Sequence, residues 1–309
     1  MTVAANAHAR LAVTDRASPL ADHYRVACAI RSFEQMLLDQ FARGRVAGTT
    51  HTCIGQEIAA VAVTAALDRT RDCVFSNHRG HGHFLAYCGE VFPLLAEIFG
   101  RPDGVCGGRG GSQHLHWRNF YSNGVQGGSV GNAVGVALAE KMKQSGAVTC
   151  AWLGDGTFGE GLVYEALNIA SLWRLPIVFA IEANGIAQTT PTEAQMAGDI
   201  AGRCAAVDIP VVEVPGTDLE EMLAAATRAV DAARAEQRPQ ALVSRAIRLG
   251  PHSKGDDTRD PVWLQAAWAK DPVAMLRARL GASAEAIDRE VAELLRDVLA
   301  AAAVGIGEP

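Results

Sequence analysis

Apolar residues recur at three- and four-residue spacing through 24–44, YRVACAIRSFEQMLLDQFARG, and again through 55–70, GQEIAAVAVTAALDRT. That period is helical, and each stretch predicts a helix packed by one face. Short runs of another kind follow, rich in β-branched and apolar residues: CVFSN, AVTCAWL, PIVFAIE, PVVEV and QALVSRAI. Between them lie helical segments, SVGNAVGVALAEKMK, EGLVYEALNIASLW and DLEEMLAAATRAVDAARAEQ. Strands alternating with helices at this spacing predict an α/β fold, a mostly parallel sheet with helices on both faces.

The glycine-dense stretch 104–135 carries no regular period and reads as one long loop, a feature that usually serves function. In the tail, Ser283 is placed to cap a helix whose Ile287, Val291, Leu294, Leu295 and Val298 form a stripe, for packing within the chain or against a partner. No repeat or low-complexity linker interrupts the 309 residues. The expectation is a single domain over 1–309, with a core at about 50–250 and helical extensions at both ends.

About half the residues are hydrophobic, enough for one large core or two modest ones. The net charge of −6, without a basic stripe, argues against a nucleic-acid partner. No apolar run reaches the length of about 20 residues that spans a membrane. The first residues carry no secretory pattern, so a cytoplasmic location is expected. Seven cysteines, scattered and never spaced C-x-x-C, suit reduced thiols better than disulfides or a zinc site.

The candidate chemistry gathers at WLGDGTFGEG, 152–161. In open α/β sheets ligands bind beyond the carboxyl ends of the strands, where Asp155 is expected. Gly154 and Gly156 let a bulky anion approach the backbone, and the helix beginning near Glu160 turns its positive end the same way. A carboxylate facing a phosphate needs a divalent cation between them, and magnesium with oxygen ligands suits the task. Asn184, at the end of the next strand, is placed to supply a second oxygen, and the backbone carbonyl near Ile186 a third. GDG alone is equally a tight turn; followed by EAN at this distance it is far more specific. His78, His81 and His83 could in principle ligate zinc, but no carboxylate or cysteine nearby in sequence completes such a site. A nicotinamide-binding reading of GRGGSQ fails, for lack of the strand before it and the helix after it.

GDGTFGEGLVYEALNIASLWRLPIVFAIEANGIAQTTP resembles the thiamine diphosphate motif. The resemblance is closest to the alpha subunits of the first components of 2-oxo acid and acetoin dehydrogenases, and it covers most of the chain. TTHTCIGQEIAAVAV, SNHRGHGHFLAYCGE, GGRGGSQHLH, NGVQGGSVGNAVGVALA, AIRLGPHSKGDDTRDP and KDPVAMLRARL look like further family motifs, in the family's order. The resemblance implies that Asp155, Asn184 and the Ile186 carbonyl hold magnesium. Gly154, Gly156 and Thr157 would line the diphosphate, with His78 and Arg79 as donors to the same anion and Gly124 and Gln126 on the loop approaching the cofactor. His51, His81 and His252 would surround the thiazolium ring or substrate, where imidazoles move protons near neutral pH.

It further implies a beta subunit carrying the pyrimidine-binding half and the activating glutamate, in a two-plus-two assembly. The expected activity is decarboxylation of a 2-oxo acid or cleavage of acetoin, with acyl transfer to the lipoyl domain of an acyltransferase. The alternative is a split transketolase-like or acyloin-forming enzyme that takes a ketone or 2-oxo acid and hands the fragment to an aldehyde. A non-catalytic partner that keeps the fold is the third reading. Glu57, in IGQE, is read as a structural residue at the subunit boundary, and the helices 54–67 and 129–142 are expected to offer apolar surface to the partner. Three positions depart from the family pattern: Ala183 replaces the first asparagine of a pair, His78 a tyrosine found in many relatives, and Gln126 a small apolar residue.

Overall fold

A computed structural model describes residues 10–46, 48–253 and 257–304. The first nine residues, where no leader was expected, and residues 254–256 of the histidine-serine loop lie outside the described residues. The elements in chain order are α1 (Leu20–Ala42), α2 (Glu57–Ala66), β1 (Cys73–Ser76), α3 (His81–Cys88), α4 (Val91–Ile98), β2 (His116–Trp117), β3 (Phe120–Ser122), α5 (Val130–Lys143), β4 (Thr149–Gly154), α6 (Gly161–Leu172), β5 (Ile177–Ala183), β6 (Ile186–Ala187), β7 (Thr190–Pro191), α7 (Ile200–Ala205), β8 (Val211–Pro215), α8 (Leu219–Glu236), β9 (Gln240–Arg245), α9 (Pro261–Trp268), α10 (Pro272–Leu280) and α11 (Ala282–Ala302).

Seven strands form one sheet in the order β2-β3-β1-β4-β5-β9-β8. All pairings but β2 with β3 are parallel. Alternate residues of the central strands enter different cores, as a sheet covered on both faces requires. Cys150, Trp152, Val178, Ala180 and Leu242 join α1, α2, α3, α4, α8 and α11 on one side. Ala151, Leu153, Phe179, Ile181, Ala241 and Val243 join α5 and α6 on the other. The α/β expectation is met, with every strand run found at its place. All seven cysteines are free thiols. No helix among the described residues is long and apolar enough to cross a membrane.

Four expectations are corrected. The stretch 104–135 is not one loop, because β2, β3 and the start of α5 lie within it; β3 pairs with β1 and extends the sheet. Its glycine-rich part is organised by Glu97, a fully buried carboxylate that accepts N–H bonds from Cys106 at 2.6 Å, Gly108 at 2.9 Å, Gly110 at 2.6 Å and Gly111 at 3.2 Å. An internal anion thus occupies the cradle that such loops otherwise offer to a phosphate. Gly108 has a φ of +75°, and a Cβ there would stand 2.4 Å from the carbonyl carbon of Gly100.

Ser283 does not cap α11, which begins at Ala282 with Gly281 before it. The stripe does pack within the chain: Ile287, Val291, Leu295 and Val298 are buried in the core shared with α1 and α4, and Leu294 lies against it. α2 offers nothing to a partner, since all ten of its residues are buried inside this chain. The same holds for Glu57. It accepts from Arg31 Nε at 2.6 Å and Gly55 N at 2.9 Å, while Arg31 also grips Asp271 at 2.7 Å and 2.9 Å. Burial raises the Glu57 carboxyl and Arg31 opposes the rise, so this is an internal clamp joining α1, α2 and α10. α5 does keep an open face at Gly131, Asn132, Gly135 and Met142, next to exposed Leu162, Leu172 and Trp173 on α6 and just past it.

The glycine loop therefore depends on a charge rather than on sequence alone. Glu97→Gln keeps the shape but turns an NH₂ toward a ring of N–H donors. It is expected to cost about 3 kcal/mol, the scale of hydrogen bonds to a charged group. Urea denaturation at neutral pH measures this, and an unchanged midpoint would refute the role.

Candidate active site

The chain ends of β1, β3, β4, β5 and β9 converge on one cleft of about 440 Å³. Each contributes side chains past its last residue, because parallel strands bring their carboxyl ends to a common edge. After β4 comes Asp155, 3% exposed. Its Oδ1 accepts from Gly156 N at 2.9 Å; its Oδ2 accepts from Gly185 N at 2.7 Å and Thr192 Oγ1 at 2.8 Å. One carboxylate thereby ties the end of β4 to the β6–β7 hairpin. Gly156 is a close approach, since a Cβ would lie 2.5 Å from that of Ala187.

After β5, Asn184 donates to Gln56 Oε1 at 3.3 Å and accepts from Ile186 N at 3.1 Å. Asp155, Asn184 and Ile186 line the same cleft, with Gly154, Gly156 and Thr157 beside them. Past β3, Gly124 and Gln126 form another wall. Gln126 Oε1 accepts from Thr157 Oγ1 at 3.3 Å and its Nε2 donates to Gly124 O at 3.2 Å, so this departure from the family pattern joins two walls.

The electropositive wall follows β1 and β9. Arg79, 3% exposed, donates to Thr52 O at 2.6 Å and to His252 Nδ1 at 3.2 Å. It makes no ion pair with a carboxylate among the described residues. Burial, with the second buried arginine Arg248 adding repulsion, draws its pKa down to about 10. A cation left so unfavourably is a receptor for an anion. Burial first and Arg79 second hold His78 well below the usual imidazole range, so it is neutral at pH 7. His51 packs edge-on against His78 and His252 at ring distances of 4.7 Å and 4.6 Å.

Of the residues to which the sequence assigned cofactor, metal or catalytic roles, all but His81 line this cleft. His81 turns into the core at the start of α3, bonded to Glu34 Oε2 at 3.1 Å and Ser112 Oγ at 2.8 Å and fully buried. It is not part of the cleft lining. His83 is buried too, stacked on Trp152 at 3.7 Å and bonded to Ser76 Oγ at 2.8 Å. The sequential trio of histidines is split between cleft and core, and it forms no zinc site. Sequence reasoning missed Arg248, Gln188, Gln195 and Glu160 on the cleft wall, and Gln113 behind it. Arg248 and Gln113 lie inside motifs already quoted, four and one residues from histidines, but nothing local distinguishes them from surface polar residues.

The sequence profile of the dehydrogenase E1 component family matches residues 25–303. The chain is 39% identical over 244 residues to the pyruvate dehydrogenase E1 component subunit alpha of Zymomonas mobilis, covering 78% of this chain and 69% of the relative. It is likewise 39% identical over 237 residues to the alpha subunit of the acetoin:2,6-dichlorophenolindophenol oxidoreductase of Bacillus subtilis, covering 75% and 71%. The pyruvate dehydrogenase E1 component subunit alpha of Rhizobium meliloti is 33% identical over 288 residues, covering 90% and 82%.

The lowered His78 has a measurable consequence. Below the unfolded value of about 6.5, the unfolded chain takes up a proton that folded His78 refuses, so stability is full above that pH and falls beneath it. His78→Tyr is expected to shrink the stability difference between pH 7.5 and 5.5 by up to about 1.4 kcal/mol. His23, also lowered by burial, leaves a residual slope in the variant. Urea titrations at the two pH values test this, and identical slopes for both proteins would contradict it.

Proposed function

The chain belongs to the dehydrogenase E1 component family, and we propose that it is the alpha subunit of a thiamine diphosphate-dependent enzyme that decarboxylates a 2-oxo acid or cleaves acetoin. The observation that carries this reading is the pairing, across one cleft, of a hard-oxygen cluster with a buried arginine that has no carboxylate partner among the described residues. Asp155, the Asn184 side-chain oxygen and the Ile186 carbonyl are the donor set that magnesium prefers. Arg79 supplies the fork that suits a phosphate, and the buried Nδ1 of His78 has no partner among the described residues. Gly154, Gly156 and Thr157 leave room for the anion, and α6 turns its amino end toward it. These residues fit a metal-bridged diphosphate.

When bound, thiamine diphosphate would supply a nucleophilic carbon for addition to the substrate carbonyl and a cationic ring to take up the electrons of the broken bond. The chain's own part is to anchor and orient the cofactor, to keep His78 neutral, and to present His51 and His252 over the cleft. Gln126 and Thr157 position the wall nearest the loop after β3. Names of the relatives, a pyruvate dehydrogenase and an acetoin oxidoreductase, favour the dehydrogenase over the acyloin-forming alternative. Both names carry the word subunit. A beta subunit would bring the pyrimidine-binding half, and a lipoyl acyltransferase would accept the acyl group. Glu57 is excluded as the activating glutamate by its place inside the Arg31 clamp.

Two outcomes are expected. Asp155→Ala should retain the folded circular-dichroism spectrum and bind thiamine diphosphate with magnesium at least about a hundredfold more weakly, the scale of removing a charge-assisted interaction together with its metal. Calorimetry that finds unchanged affinity would refute the metal assignment. Alone, the chain should be inactive toward pyruvate and acetoin with an artificial electron acceptor; with its beta subunit it gains thiamine-dependent turnover. Full turnover by the isolated chain would overturn the subunit assignment.

A further inference from the structure

Asp155 lines two cavities. One is the cleft of about 440 Å³; the other, of about 210 Å³, has Gly185, Thr192, Glu193, Asp199 and Glu213 on its wall. The two carboxylate oxygens are used differently. An ionised carboxylate has about four lone-pair positions, two on each oxygen. Oδ2 accepts from Gly185 N at 2.7 Å and from Thr192 Oγ1 at 2.8 Å, so both of its positions are filled from within the chain. Among the described residues Oδ1 accepts from Gly156 N alone, at 2.9 Å, and keeps one position open.

The donors divide in the same way. Gly156 lines the cleft, whereas Gly185 and Thr192 line the second cavity and not the cleft. The open position is therefore on the oxygen whose donor belongs to the cleft. Thr192 is itself fixed: it opens the short turn Thr192–Ala194 after β7, and its N–H donates to Gly185 O at 3.0 Å. A carboxylate with one oxygen filled can meet a cation through the other alone. Such contact suits magnesium, which is small and keeps to a near-regular octahedron. Calcium is larger, takes more ligands and often draws both oxygens of one carboxylate.

We propose that Thr192 is a metal-specificity residue: by occupying Oδ2 it confines Asp155 to one-oxygen contact with a cation and so favours magnesium over calcium. That Asp155 meets a cation rests on the functional reading above; the filling of Oδ2 does not. Thr192 acts through Asp155, as a positioning residue that orients a metal ligand.

The test is calorimetric titration of the full chain with thiamine diphosphate, in magnesium and separately in calcium, for the wild type, Thr192→Val and Thr192→Ser. Valine keeps the shape of threonine and removes the hydroxyl, which leaves Oδ2 with Gly185 N and one open position. Affinity in magnesium should fall about tenfold in Thr192→Val, the scale of a hydrogen bond to a charged group. Affinity in calcium should hold or rise, so the preference for magnesium shrinks by about tenfold or more. Thr192→Ser retains the hydroxyl and should retain the wild-type ratio. A general loosening of the hairpin would weaken binding with both metals alike, so equal losses in Thr192→Val would overturn the proposal, as would a serine variant that behaves like valine. A second measurement needs no variant: a crystal structure of the magnesium complex with both Asp155 oxygens on the metal would also overturn it. Wild-type affinity for thiamine diphosphate that is indifferent to either metal would remove the functional reading at Asp155 and the specificity role with it. Metal-dependent binding with an unchanged ratio in Thr192→Val would remove the specificity role alone.

Discussion

Arg79 sits just past β1 with 3% of its surface exposed, donating to Thr52 O at 2.6 Å and His252 Nδ1 at 3.2 Å. Both of these partners are neutral and leave its charge unbalanced, and burial draws its pKa down to about 10. Much of the cleft follows from this. The loop after α1 must come close to present the Thr52 carbonyl, the loop after β9 must deliver His252 as an acceptor, and His78 is kept neutral by burial and by the cation next to it. A fold that buries a charge in this way gains by admitting an anion, because ligand charge then replaces what the chain withholds. Binding and stability are coupled at this residue.

The opposite corner has the complementary arrangement. Asp155 holds three donors within the chain, Gly156 N, Gly185 N and Thr192 Oγ1, so its carboxylate is oriented and the hairpin behind it is fixed. Between the corners, Gln126 and Thr157 bind each other, so the wall that links them is polar.

Legibility in the sequence tracks the range of the interaction concerned. The central strands β4, β5 and β9 were readable because each is buried on both faces and so nearly uninterrupted in apolar residues, as IVFAIEA is. Whereas His78 and Arg79 were singled out by the family resemblance of their motif, Asp155 and Asn184 were readable because a strand end followed by glycine or a loop is a local event. α3 was not, because HGHFLAYC mixes histidines and glycine in a helix whose amphipathicity is slight; it is held by burial of every residue from His81 to Tyr87. His81 was misplaced for the same reason. Its partners Glu34 and Ser112 lie 47 and 31 residues away, and no spacing rule reaches that far. The glycine stretch read as loop because its organiser, Glu97, belongs to the preceding helix and its strands β2 and β3 have only two and three residues.

Buried charge beneath the cleft shows why such distant pairs recur. Glu34 accepts from Cys53 N at 3.0 Å and meets His81; Glu182 meets His83 at 3.5 Å; Arg31 joins Glu57 and Asp271. Two of them fix a segment next to a cleft residue, for Cys53 follows His51 by two positions and His83 lies on the helix that follows Arg79, while Glu57 holds Gly55 at the start of α2. Pairs of this kind add little net stability compared with apolar packing, but each is satisfied in one arrangement only. They therefore specify geometry, and the geometry they specify is that of the imidazoles and guanidinium above them. Apolar positions stay exposed where this internal scaffolding stops: Val125 beside Gln126, and Leu162 near Glu160 at the start of α6.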